Sequence, residues 1–190
     1  MKFLKYALII VVSFVALILI VAAFLPDEYT VTRSIEIEAS PEYVAEKAAD
    51  FSIRDQWDPW MAKDSTATST HSLSPGHVGS NWSWKGQQIG VGSLTILEFV
   101  AGESIKSKLE VKVPFEMQSW IFWDFSGDST TTTVKWTNSG ELEYPLFRLM
   151  GTGIEDNLGK TFEQGLDRFK AMVENSGKMT VAPIDTVDIQ

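Results

Sequence analysis

The chain has 190 residues, with 25 acidic and 16 basic side chains, no cysteine, two histidines and a formal charge of −9. That length allows one domain with a sizeable core and one further element. The acidic balance disfavours phosphate backbones as partners, and the missing cysteine excludes both a disulfide scaffold and a thiol nucleophile.

The further element comes first. Lys2 and Lys5 precede the uncharged run "YALIIVVSFVALILIVAAFL", Tyr6 to Leu25, interrupted only by Ser13. A hydrocarbon core needs roughly 20 apolar helical residues, which this run supplies. A cleavable signal peptide would show an apolar core of only about 7–15 residues, and Ala22-Ala23 imitates its cleavage site weakly. Residues 1–26 are therefore expected to be a transmembrane anchor in contact with the bilayer through residues 6–25. Basic residues at one end and Asp27-Glu28 at the other place the N-terminus in the cytoplasm and the domain outside.

A domain over 27–175 follows directly, leaving 176–190 as a tail. In "YTVTRSIEIEA", Val31, Ile35 and Ile37 share one face while Thr32, Ser34, Glu36 and Glu38 share the other; this alternation predicts a half-buried strand. "SPEYVAEKAADF" predicts a short helix, with Ser40 as N-cap and Pro41 at its first position. "FSIRDQWDPWMAKD" then places Trp57 and Trp60 around an Asp-Pro outside any clear helix or strand. Further strands are expected in "TATSTHSL", "SNWSWKG", "GVGSLTILEFV", "ESIKSKLEVKV", "EMQSWIFWDFSG" and "TTTTVKWTNSGEL", with "SPGHVG" as a turn. Their spacing suggests consecutive antiparallel hairpins. From Gly153 the period changes: Ile154, Leu158, Phe162, Leu166 and Phe169 form one stripe of a helix of about six turns. Gly159 and Gly165 each cost such a helix about 1 kcal/mol relative to alanine, so it must need room beside them, for close sheet contact or for a cavity.

One helix between the first two strands, a run of antiparallel strands and a long amphipathic helix predict an α+β domain in which a curled sheet grips the last helix. The segment "RSIEIEASPEYVAEKAADFSIRDQWDPW", with "GSNWSWKG", "GVGSLTILE", "TVKWTNSGEL" and "LGKTFEQGLDRFK", resembles the START-like superfamily, also called SRPBCC. The group concerned is that labelled polyketide cyclase/dehydrase and lipid transport. The resemblance spans about Tyr29 to Glu174 and implies the Bet v 1-like helix-grip fold, with a hollow between sheet and helix. Small membrane-anchored bacterial members carry a similar N-terminal hydrophobic segment. The fold hosts binders, carriers and enzymes alike.

The expected ligand is a small hydrophobic or lipid-like molecule. Trp57 and Trp60 either seal the end of the core or touch the ligand. Trp82, Trp84, Trp123, Phe125 and Trp136 are candidates for the inner face, with Phe162 and Leu166 from the helix stripe; each also fits a plain core role. Arg33 interrupts the apolar face of the first strand and could hold an anionic group or an internal salt bridge. His71 and His77 lack metal-ligand spacing, so no metal or cofactor is expected. If Trp123 and Phe125 face inward, Asp124 faces solvent, and nothing brings Glu98 and Glu141 together as an acid/base pair. A cyclase- or dehydratase-like enzyme, or an accessory subunit of a membrane complex, are the alternatives to a binder.

Overall fold

The computed structural model describes residues 2–72 and 76–180, so Leu73 of the expected "TATSTHSL" strand, Ser74 and Pro75 of the expected "SPGHVG" turn, and residues 181–190 of the expected tail lie outside the described residues. Helix α1 (Lys2–Phe24) leads into β1 (Glu28–Ile37) and α2 (Pro41–Ala49). Strands β2 (Thr68–His71), β3 (Asn81–Gly86), β4 (Gly90–Val100), β5 (Ser104–Val113), β6 (Met117–Gly127) and β7 (Thr132–Glu141) follow. A short α3 (Leu146–Met150) precedes α4 (Ile154–Thr180). The seven strands form one antiparallel sheet in the order β1-β7-β6-β5-β4-β3-β2. Thus β2 to β7 run as consecutive hairpins, and β1 closes on β7 over ten paired residues. The expected α+β helix-grip architecture is observed.

The local signals act as read. Val31 and Ile37 are buried on the inner face of β1, with Ile35 half-buried between them. Ser40 caps α2 by accepting from the Tyr43 amide, and Pro41 opens the helix without losing a hydrogen bond. Helix α4 runs 27 residues and extends past the expected end at Asn175. The sequence reading did not separate α3 from the connection before it.

The two glycines of α4 are explained by close approach. A side chain at Gly165 would put its Cβ 2.8 Å from the Trp136 ring and 3.0 Å from Pro59. At Gly159 the Cβ would overlap the Arg33 guanidinium, which crosses the helix there to reach Glu163 (2.8 Å) and Glu155 (3.4 Å). Close contact, rather than a cavity beside the glycines, is the reason for both.

The inner sheet face is divided along the strands. On β6 it reads Phe125, Trp123, Ile121, Ser119, and on β7 Val134, Trp136, Asn138, Gly140. Large rings at one end give way to small or polar groups at the other. Helix α4 follows the same gradient: Phe162, Leu166, Phe169 and Val173 are fully buried, while Ile154 and Leu158 are only half-buried.

Candidate functional site

At the ring-rich end the interior is solid. Trp57 is fully buried and packs edge-on against Trp123 (5.8 Å between centroids) and Trp136 (5.9 Å), with Phe169 at 4.9 Å. Trp136 in turn stacks on Trp123 (4.7 Å) and Phe162 (4.1 Å). Such ring pairs contribute about 0.5–1.5 kcal/mol each beyond the area they bury.

At the other end α4 stands away from the sheet over a hollow of about 390 Å³. Its walls are apolar, with Trp60, Trp82, Trp84, Leu94, Leu109 and Ile121 prominent, and Trp136 and Phe162 close its inner end. The hollow is half-open to solvent. Its size matches small-molecule sites, which run to roughly 300–1,000 Å³. At this end the inner face carries Ile121 and Asn138 where the packed end has Trp123 and Trp136, and Tyr29 covers Gly140.

Of the ten residues expected at a site, Trp60, Trp82, Trp84, Trp136 and Phe162 line this hollow. Trp57, Trp123, Phe125 and Leu166 lie in the packed half, so for Trp57 and Trp60 the two readings divide: the first seals the core and the second faces the hollow. Arg33 takes the internal salt-bridge alternative, because α4 presents two carboxylates on either side of Gly159. That leaves it outside the hollow's lining. Asp124 is exposed, as expected once Trp123 and Phe125 face inward. Glu98 pairs with Lys106, while Glu141 sits opposite Glu28 at the far end of β7. His71 lies opposite Trp82 in the β2–β3 pair, and both histidines are exposed. Among the described residues no group of three or more His, Cys, Asp or Glu side chains could hold a metal ion.

The polar lining was missed. Arg54 and Asp58, four residues apart in the connection after α2, are both buried and both reach the hollow. The Asp58 carboxylate accepts from the Trp60 and Met61 amides through Oδ1, and its Oδ2 lies 3.3 Å from Arg54 Nε. The Arg54 guanidinium is flanked by Trp57 (4.7 Å), Trp82 (4.9 Å) and Phe51 (5.9 Å). Its Nε and Nη1 have no hydrogen-bond partner. Burial pulls the guanidinium below its ordinary pKa, while Asp58 and then Asp55 act to restore it. Burial likewise pushes the Asp58 carboxyl up, against the pull of Arg54 and the two amides. Further along the hollow, Asn138 donates to Ser119 Oγ (3.0 Å) and leaves its own Oδ1 without a partner. Tyr29 also reaches this region, its phenol pushed up by burial and drawn back by Ser119. A charged pair at i, i+4 inside an aromatic-rich connection was the available signal: "FSIRDQWDPW" contains it.

The connection is held in place by its own acids. Asp64 accepts from Thr66, and from the Gln88 and Ile89 amides of the β3–β4 turn at 2.7 and 3.1 Å. These bonds hold its carboxyl at about 2, well below the usual carboxylate range. Asp55 accepts from the Trp82 indole at 3.0 Å, and Lys63 donates to Thr161 of α4 at 3.2 Å. The loop bearing Arg54, Asp58 and Trp60 is therefore tied to both the sheet and the helix.

A curled antiparallel sheet that grips a terminal helix and leaves a hollow beside it defines the helix-grip class of α+β domains. The chain belongs to the polyketide cyclase / dehydrase and lipid transport family, whose profile matches residues 28–174. Solved structures agree on the fold. A Staphylococcus aureus protein of unknown function superposes with a TM-score of 0.60 at 19% identity, covering 80% of this chain and 98% of its own. A Mesorhizobium loti protein gives 0.57 at 15% identity, covering 77% and 98%. The Aha1 dimer of Colwellia psychrerythraea gives 0.55 at 17%, covering 77% and 96%. No curated protein matches the chain.

Proposed function

We propose that this protein binds a small hydrophobic or lipid-like molecule in the hollow between α4 and the sheet, and does so at a membrane. The observation that carries the reading is the half-open hollow of about 390 Å³ with its largely apolar lining. Transfer of a ligand's apolar surface into it contributes about 25 cal/mol per Å² buried, and the few polar groups fix orientation. Lipid extraction and mass spectrometry of the purified full-length chain test this: one recurrent, stoichiometric apolar compound is expected, and its consistent absence overturns the reading.

The membrane part rests on α1. Among the described residues it is the one helix long and apolar enough to cross a bilayer, and its side chains lie mostly uncovered. The domain is held against its end: Tyr144 donates to the Leu19 carbonyl (3.1 Å), and Arg148 reaches Asp27 (3.3 Å). With Lys2 and Lys5 on the cytoplasmic side, the domain would lie outside. Resistance to alkaline carbonate extraction, with an intact mass that retains residues 1–26, is the expected result; a mass starting near Pro26 would mean a cleaved signal sequence.

A second reading, docking on a membrane-protein partner, is favoured by one observation. Val113, Phe115, Met117, Leu146 and Met150 are exposed near the α1 end, and three of them line a broad groove of about 820 Å³ with Phe147. Exposed apolar surface of this kind often marks an interaction site. Recurrent co-purifying membrane subunits with an empty hollow would favour it. For a cyclase-like activity the carboxyl in the hollow is Asp58, but its Oδ1 is engaged by two amides and its Oδ2 faces Arg54. That arrangement supports positioning rather than proton transfer.

A further inference from the structure

Arginine presents five N–H donors around the edge of a planar cation. The Arg54 guanidinium lies over the rings of Trp57 and Trp82, which offer its N–H groups no lone-pair acceptor. Asp58 Oδ2 lies 3.3 Å from Nε without completing a hydrogen bond, and Nε and Nη1 are both left without a partner. A buried donor left unpaired is costly, and most buried donors in folded proteins have partners. Arg54 nevertheless lines the hollow, where a bound molecule would lie beside it.

The charge around Arg54 decides what kind of molecule. Asp58 sits against the guanidinium, and Asp55, the next residue in the chain, also acts on it. The buried Asp58 carboxylate already balances this cation, so what Arg54 lacks is hydrogen bonding, not negative charge. A ligand carboxylate or phosphate would add an uncompensated anion beside a buried pair. Asn138 adds a second, neutral handle on the same lining, with a free Oδ1 to accept from a hydroxyl.

We infer that the hollow selects neutral, largely apolar molecules bearing a hydrogen-bond acceptor such as a carbonyl oxygen, which Arg54 binds as donor, and discriminates against the corresponding acids. This rests on the hollow being a ligand site, as proposed above, and adds the chemical class of what enters it.

Three naphthalenes of one shape separate the terms: 2-acetylnaphthalene has a neutral acceptor, 2-naphthoate a charged one and 2-ethylnaphthalene none. Each is titrated by calorimetry into the full-length chain in nanodiscs, with empty nanodiscs subtracted for partitioning. The acetyl compound is expected to bind roughly tenfold or more tighter than the ethyl compound, since a hydrogen bond to a charged group carries that factor. The naphthoate is expected to bind at least about tenfold more weakly than the acetyl compound. Arg54→Met alone leaves Asp58 buried without its cation, so the variant is the pair Arg54→Met with Asp58→Asn, which keeps the amide acceptor. In that variant acetyl and ethyl compounds should bind alike. Equal binding of the two by the unaltered chain, or a preference for naphthoate, overturns the inference while leaving the hollow as a site. Saturable binding of none of the three removes the hollow reading and the inference together.

Discussion

Toward Phe125 of β6 and Val134 of β7, α4 lies so close to the sheet that Gly165 touches Trp136, and Trp57 fills what space remains. Past Ile121 and toward Asn138, on the same two strands and under the same helix, the gap is wide enough for a hollow of about 390 Å³. The two halves share backbone geometry, strand register and helix, and they differ in the side chains on the inner face. Close packing in one half holds α4 against the sheet, while in the other the helix-grip arrangement leaves a gap. Proteins pack their interiors near crystal density, so a gap of this size beside a solid core marks the two halves as different in kind.

Several substitutions would break or sharpen this contrast, beginning with the largest effect. Phe169→Ala removes a fully buried ring from the Trp57–Trp123 cluster and should cost about 3–5 kcal/mol in denaturant unfolding of the full-length chain. A cost under about 1 kcal/mol would mean that the packed half is not packed. Next, the two helix glycines should behave unequally. At Gly165 the neighbours are a ring and a proline, so alanine should destabilise by roughly 1–3 kcal/mol despite its better helix propensity. At Gly159 the neighbour is the end of a flexible arginine, which can yield, and the propensity gain of about 1 kcal/mol offsets the loss of its half-exposed ion pairs. Equal losses at the two positions would refute close sheet contact at Gly165.

In the hollow half, Leu109→Phe adds volume where there is space, so stability should change by less than about 1 kcal/mol while uptake of 2-acetylnaphthalene is lost. A large destabilisation would show that the gap is not available to side chains. The smallest effect concerns Asp64, which ties the connection to the β3–β4 turn. Its folded value of about 2 lies below its ordinary 3.8, so its contribution is present above pH 4 and lost as the pH falls toward 2. Acid unfolding of Asp64→Asn should therefore depend less on pH across that window than acid unfolding of the unaltered chain; identical profiles would contradict the role assigned to these bonds.

The strands, the capped α2 and the stripe on α4 were legible because each is written in local periodicity. The inward face of β6 was legible too, since Trp123 and Phe125 leave Asp124 nowhere else to point. The site was half legible. Aromatic residues could be assigned to the interior, but whether a given ring fills the core or borders the gap depends on its height along the strand. Trp57 and Trp60, three residues apart, fall on opposite sides of that boundary. Arg33 drew attention as the charge on an apolar face, yet α4 brings Glu155 and Glu163 to it from more than a hundred residues away. Arg54 passed unnoticed because its pairing with Asp58 is only a weak local signal, and its burial comes from Trp82 on a distant strand.

Amino-acid order alone determined the apolar N-terminal helix, the antiparallel hairpin series, the gripping helix and the presence of many indoles indoors. Those features follow from hydrophobic periods and turn chemistry acting over a few residues at a time. Tertiary structure decided which indoles pack, where the gap opens and which arginine borders it. These depend on distances between segments remote in the chain, and pairwise reach across a curved sheet is a quantity that no local pattern encodes.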